Sequence, residues 1–154
     1  AAMFDGTWLD TGDMGYMLDG ELVITGRAKD LIIINGRNIW PQDIEWATET
    51  VNSVRQGGVA AFSIDDGSGE RIVVVAECRG GLSDEQRDGL RRDIAQVIQA
   101  AAGAPAEIVL VRPHSMVMTS SGKLSRAKVR QRYLSGDFSG IQSADEASRA
   151  AIAK

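Results

Sequence analysis

Apolar and polar positions change period several times along the chain, and each change marks an element. Residues 14–25 carry two apolar runs, Met14 to Leu18 and Leu22 to Ile24, around Asp19-Gly20. Asp-Gly between such runs predicts a hairpin closed by a type I′ turn, because glycine accepts a positive φ without steric cost. A second, shorter hairpin is predicted from Leu31-Ile32-Ile33-Ile34, Asn35-Gly36 and Asn38-Ile39-Trp40. Leu31 to Ile34 does not alternate, so the pattern predicts a strand covered on both faces.

Pro41 then opens a helix, where its missing N–H costs little. Ile44, Ala47, Val51 and Val54 recur at helical spacing, and Gly57-Gly58 is the expected stop. Val59 to Ile64 and Arg71 to Glu77 read as strands joined by Asp65-Asp66-Gly67-Ser68-Gly69-Glu70. Ser83 with Gln86 three residues later is a capping-box signature. The helix it opens has Leu90, Ile94, Val97, Ile98 and Ala101 as its apolar stripe and ends at Gly103 and Pro105. Ala106 to Val111 is a further strand. After a loop through Thr119-Ser120-Ser121-Gly122, Ser125 is placed to cap a last helix reaching about Leu134. From Ser135 onward no broad apolar stripe remains, which predicts frayed helix or disorder. The order of elements predicts an α+β fold: a small mixed β-sheet with two to three packed helices, preceded by a short β-hairpin.

Length changes this picture little: 154 residues suit one domain with short attachments. With aromatic residues at only 5%, the core must come from Val, Ile, Leu and Ala. The net charge of −4 gives no global reason to expect nucleic acid. Basic residues after the loop (Arg126, Lys128, Arg130, Arg132) have few aromatics between them, so a solvated helix face is expected there. The single cysteine, Cys78, excludes an internal disulfide and fits a reducing, cytoplasmic setting. It ends an apolar run and is expected to be a packed, inert thiol. No stretch approaches the roughly 18 apolar residues of a membrane span. Ala1 to Asp5 lacks the basic and apolar regions of a secretory signal and reads as the middle of a longer protein. Asp65 to Glu70 lacks EF-hand spacing, so no metal ligands are assigned. His114, the only histidine, is read as loop structure.

Four segments stand out as candidates for chemistry, though each alone has an ordinary structural reading. Thr11-Gly12-Asp13 is an ordinary turn or a carboxylate accepting from two vicinal hydroxyls. Gly26-Arg27-Ala28-Lys29-Asp30 is a charged connector or a hinge, with Arg27 able to fork onto phosphate or ribose oxygens. Gly36-Arg37-Asn38-Ile39-Trp40-Pro41-Gln42-Asp43-Ile44-Glu45 enters the first helix. Thr119-Ser120-Ser121-Gly122-Lys123 is a small-residue loop ending in a movable point charge; it lacks the first glycine of a Walker A loop.

Together, in this order and spacing, these segments resemble the C-terminal motifs of the adenylate-forming superfamily (acyl-CoA synthetases, luciferases and adenylation domains). The likeness covers about Trp8 to Leu134, and the helix-entry run is most similar to that of the fatty acyl-AMP ligases. It implies that residues 1–28 end a large N-terminal domain, that 29–135 form a mobile C-terminal domain, and that 136–154 are a tail. It further implies ribose binding by Asp13, assistance by Arg27, a hinge at Lys29, a pantetheine channel beside Gly36, and Lys123 as catalytic lysine. ATP and Mg²⁺ would be held mainly by the large domain, which is the implied partner. A fatty acid would be activated to an acyl-adenylate, and an acyl carrier protein or coenzyme A would supply the accepting thiol. Such a piece is expected to be inactive alone. The chain departs from the family in having Val117-Met118-Thr119 where Pro-Arg-Thr or similar is usual, which removes a stiffening proline from the loop entry. An acyl-CoA ligase domain, or a stand-alone module docking an acidic carrier protein through the 123–132 helix, are the rival readings.

Overall fold

The computed structural model describes residues 4–5, 7–65, 67 and 69–138. In chain order, β1 (Phe4–Asp5) and β2 (Trp8–Leu9) pair antiparallel, followed by the hairpin β3 (Asp13–Leu18) and β4 (Glu21–Arg27). Asp19 and Gly20 have φ of 49° and 85°, the left-handed pair that a type I′ turn needs. A 3₁₀ turn, Ala28–Asp30, leads to the ribbon β5 (Ile32–Ile34) and β6 (Arg37–Ile39). Helix α1 (Pro41–Glu49) precedes β7 (Val54–Asp65) and β8 (Glu70–Cys78). Helix α2 (Asp84–Ala102), β9 (Ala106–Val111) and α3 (Arg126–Leu134) complete the described part.

The architecture is α+β. Its centre is a mixed sheet in the order β7-β8-β9, with β7 antiparallel and β9 parallel to β8. A parallel neighbour needs a crossover, and α2 supplies it. Side chains along β7 alternate between two cores. Val59 and Ala61 pack with Ile44, Ile94 and Ile98 on the α1–α2 side, while Ala60, Phe62 and Ile64 pack with Val129 and Met116 on the α3 side. A sheet covered on both faces has no solvent side to encode, so Ile72 to Ala76 reads as one unbroken apolar run and is buried throughout.

Helix α2 starts as its sequence predicts: the Ser83 hydroxyl accepts from Gln86 N at 3.2 Å, and Gln86 Oε1 accepts from Ser83 N at 2.8 Å. Its buried stripe is Leu90, Ile94, Ile98 and Ala102, so the last position is Ala102 and not the exposed Ala101. Strand β5 also differs from expectation. Ile32 is buried opposite Ile39, but Ile33 is 50% exposed, because a two-stranded ribbon lies on the core with one face only. The first helix stops at Glu49 rather than at Gly57-Gly58. Thr50 turns its hydroxyl back onto Ala47 O at 2.7 Å, and Val54 already pairs with Cys78. The two glycines fall in β7, where the register jumps between Val54 and Val59. Ser125 is the N-cap residue of α3 but makes no side-chain cap bond. The stretch expected to fray begins with exposed residues, 135–137, but is packed at Phe138. Phe138 is buried against the α3-side core, and the Arg132 guanidinium lies 4.8 Å over its ring. The rest of the tail, 139–154, lies outside the described residues.

Candidate functional site

Asp13 and Arg27 face each other at the open end of the β3–β4 hairpin, and Arg27 Nε lies 3.2 Å from Asp13 Oδ1. Local bonds shape this end: Asp10 Oδ1 accepts from Gly12 N at 2.9 Å, and Thr11 Oγ1 accepts from Asp13 N at 3.2 Å. Gly12 O accepts from Ala28 N at 3.0 Å, which ties the strand entry to the 3₁₀ turn. Lys29 sits in the middle of that turn and is exposed. Beyond it, Gly36 occupies the exposed Asn35-Gly36 turn at φ 74°. The next residue, Arg37, lays its guanidinium against Gly103 at the C-terminal end of α2, where a cation meets the negative end of the helix. The turn bearing Gly36 is thereby held near that end of α2.

Lys123 stands on the returning side of a small hairpin. Met118 pairs with Leu124, and Thr119 N donates to Lys123 O at 2.7 Å. Gly122 N donates to Thr119 O at 2.9 Å, and Gly122 has φ 75°. These bonds describe a three-residue loop, Ser120-Ser121-Gly122, in which the left-handed third position selects glycine. Thr119 works twice more: its hydroxyl accepts from Lys123 N at 3.1 Å and donates to Lys123 O at 3.0 Å. Both backbone polar groups of Lys123 are thus fixed, while its side chain is exposed and has no partner among the described residues. Strand-like pairing, closed by Ser125 N donating to Val117 O at 2.9 Å, stiffens the loop entry where a proline is missing.

The loop is seated by two carboxylates. Glu77, in β8, is 1% exposed; its Oε1 accepts from Met116 N at 2.7 Å and its Oε2 from Arg55 Nη1 at 2.8 Å. Burying a carboxylate is costly unless it is bonded in this way, and here it pins the 112–116 segment that leads to the loop. Arg55 Nη1 also lies 3.4 Å from His114 Nδ1, which accounts for the only histidine as part of this segment. On the far side of the loop, Arg126 forks onto Glu45 with Nε–Oε1 at 2.6 Å and Nη2–Oε2 at 2.8 Å. Its third nitrogen, Nη1, reaches Asp30 Oδ2 at 3.3 Å. The Glu45 bond raises the Arg126 pKa above its ordinary value, against the opposing effect of burial.

Two of the sequence-derived residues, Asp13 and Arg27, are brought together; Lys29 lies beside Asp30, the Arg126 partner. Among the described residues no hydrogen bond or ion pair joins Lys123 to Asp13 or Arg27. Of the basic residues expected to form a solvated face along α3, Lys128 and Arg130 are exposed, whereas Arg126 and Arg132 pair with carboxylates. Arg126 is paired, Arg130 Nε donates to Ser63 O at 3.2 Å, and Arg132 Nη1 donates to Ser115 O at 2.8 Å. Glu45, Glu77 and Arg126 carry structural weight that sequence reading alone missed. Among the described residues no group of three His, Cys, Asp or Glu side chains is placed to hold a metal ion. No helix among them is long and apolar enough to cross a membrane.

No protein-family model matches the chain. It is 49% identical over 132 residues to a Caulobacter vibrioides protein with a provisional acyl-CoA synthetase name, covering 85% of this chain and 23% of that protein. It is 41% identical over 140 residues to a long-chain-fatty-acid–AMP ligase of Mycobacterium marinum, covering 87% of this chain and 24% of the ligase. Among solved structures, one from a study of fatty acyl-adenylate ligases of E. coli and L. pneumophila superposes with a TM-score of 0.70 at 50% identity, over 82% of this chain and 22% of the other. McyG A-PCP complexed with phenylalanyl-adenylate superposes with a TM-score of 0.78 at 32% identity, over 89% of this chain and 22% of the other. The chain therefore spans less than a quarter of the curated relatives' length. On this likeness it belongs to the adenylate-forming superfamily of acyl-CoA synthetases, fatty acyl-AMP ligases and adenylation domains, and matches the C-terminal region of such ligases.

Proposed function

We propose that this chain is the mobile C-terminal lid of a fatty acyl-AMP ligase and that Lys123 is its catalytic residue. The observation that carries the reading is a free, exposed ammonium on a loop whose backbone is locked on both sides by Thr119. Such a group is pre-placed for charge that develops elsewhere. When a carboxylate oxygen attacks the α-phosphorus of ATP, a new oxygen–phosphorus bond forms and the bond to pyrophosphate breaks. A positioned cation stabilises the charge on the phosphoryl oxygens more in the transition state than in the ground state. The nucleotide itself would be held mainly by a preceding large domain, with Asp13 and Arg27 at the ribose. The described residues offer no group of three His, Cys, Asp or Glu side chains that fits Mg²⁺, which the large domain would hold.

Lys29 would be the hinge. Rotation there would withdraw Lys123 and bring the Gly36 turn to the pocket for transfer to a pantetheine thiol. The exposed apolar side chains of the β3–β4 hairpin support a covering large domain, because Met17, Leu18, Leu22 and Ile24 are each more than half exposed. Of the basic residues that a stand-alone docking module would use, Arg126 and Arg132 are already paired with carboxylates, while Lys123, Lys128 and Arg130 stay exposed. An acyl-CoA ligase is the second reading, favoured by the name of the Caulobacter vibrioides relative. Which acyl product the full-length enzyme makes, the adenylate alone or the coenzyme A thioester, separates the two.

The test of the lysine is Lys123→Ala in the full-length enzyme. Adenylate formation, followed by pyrophosphate exchange, is expected to fall by about a hundredfold or more, while transfer from preformed acyl-adenylate persists. Survival of both half-reactions would remove Lys123 from this role.

A further inference from the structure

The Arg126 side chain has no part in the proposed chemistry, yet it is a partly buried cation paired with carboxylates at the base of the lysine loop. Its guanidinium uses three nitrogens on two carboxylates from different parts of the fold. Glu45 lies in α1 and is only 9% exposed; its Oε1 also accepts from Ala61 N, in edge strand β7, at 3.0 Å. Without that carboxylate an outward-facing N–H of the sheet edge would be buried unpaired. Asp30 directly follows Lys29 in the 3₁₀ turn. Arg126 itself follows Lys123 by three residues and opens α3. One planar group thus joins the turn at residue 29, helix α1, the sheet edge and the base of the lysine loop.

We infer that Arg126 is a positioning residue that couples the turn at Lys29 to Lys123, so that rotation at the turn reaches the ammonium without slack. The inference rests on the proposed roles of Lys29 and Lys123. Both arms are needed for different reasons. The fork onto Glu45 fixes the guanidinium plane, which a lysine cannot do because its ammonium is a point charge on a flexible stem. The single bond to Asp30 then links that plane to the turn itself, one residue after Lys29. Loosening either arm displaces Lys123 relative to an α-phosphorus held by another domain. Displacements of about an ångström at a reacting group cost on the order of a hundredfold in rate. Because nucleotide contacts lie elsewhere, the loss falls on kcat for adenylate formation and leaves the KM for ATP nearly unchanged.

The experiment compares Arg126→Met, Arg126→Lys, Asp30→Asn and Lys123→Ala in the full-length enzyme, with each half-reaction measured separately. Arg126→Met is expected to lower kcat for adenylate formation by about a hundredfold, and Asp30→Asn by about tenfold. Arg126→Lys should fall between Arg126→Met and the unaltered enzyme. Transfer from preformed acyl-adenylate should change less than about threefold in all three. Asp30 is a quarter exposed, so Asp30→Asn keeps the test open if loss of Arg126 prevents folding. Equal losses in both half-reactions, or no loss in adenylate formation for Asp30→Asn, would overturn the positioning role. If Lys123→Ala still blocks adenylate formation selectively in that case, the proposed function stands without this inference. If Lys123→Ala blocks neither half-reaction, the functional reading itself falls.

Discussion

Two antiparallel pairs in this chain have nearly opposite relations to water. Strands β7 and β8 lie in a sheet covered on both faces, with Ala60, Ala61 and Val73 to Ala76 at 0% exposure. Strands β3 and β4 form a ribbon in which no residue is buried and Leu22 is 64% exposed. The polar groups repeat the contrast. Glu77 is held by two donors in a dry site, whereas Asp13 and Arg27 form a half-exposed pair in water. An isolated ribbon is marginal by itself, and apolar side chains on both of its surfaces gain nothing from solvent. The difference teaches that both cores are built from residues between Ile32 and Phe138, while the hairpin contributes to neither.

The comparison breaks if the two regions respond alike to substitution. In the 154-residue chain, Ile94→Ala should cost about 3–4 kcal/mol in urea unfolding, because it empties a fully buried site between α2 and the sheet. Leu22→Ser should stay within about 0.5 kcal/mol. A Leu22→Ser loss as large as that of Ile94→Ala would show that the hairpin belongs to the same core. The next effect sets carboxylate against carboxylate. Glu77→Ala should cost about 2–3 kcal/mol by leaving Met116 N–H buried without an acceptor, and Asp13→Ala should cost less than about 1 kcal/mol. Equal losses would erase the distinction between dry and wet pairs.

The smallest effect concerns pH. Burial pushes the Cys78 thiol pKa above its ordinary value, with the nearby Arg87 charge opposing it. The unfolded thiol ionises near pH 8.5, and the folded one resists. The thiol's contribution to stability is therefore intact below about pH 8.5 and is lost as pH rises past it. Between pH 8 and 10 the urea midpoint of the unaltered chain should fall more steeply than that of Cys78→Ala. Parallel slopes would mean that the thiol is not held from water.

Much of this organisation was legible in the sequence where a local rule applied. Asp19-Gly20 and Asn35-Gly36 announced their turns because left-handed backbone is a property of two adjacent residues. Ser83 and Gln86 announced α2 because a capping box closes within one helical turn. Gly57-Gly58 misled because a helix stop and a strand irregularity use the same residue type, and the pairing of Val54 with Cys78 that decides between them is non-local. Ile33 misled because an apolar run does not reveal how many strands share its ribbon. The candidate site divided along the same line. Lys123 stood out through its small-residue loop, but the Glu45–Arg126 fork spans 81 positions and leaves no local trace. Arg126 therefore looked like any other charge on a basic helix.

The close approach of β4 to the start of α1 has a practical consequence. A Cβ placed on Gly26 would lie 2.8 Å from the six-membered ring of Trp40, so in this arrangement the indole rests directly on bare backbone. Gly26 and Trp40 lie on opposite sides of the turn at Ala28–Asp30. Any swing at that turn lifts the indole off its peptide wall and changes its hydration. The emission of Trp40, isolated by replacing Trp8 and Trp46 with phenylalanine, is thus a native optical gauge of how the two sides are set.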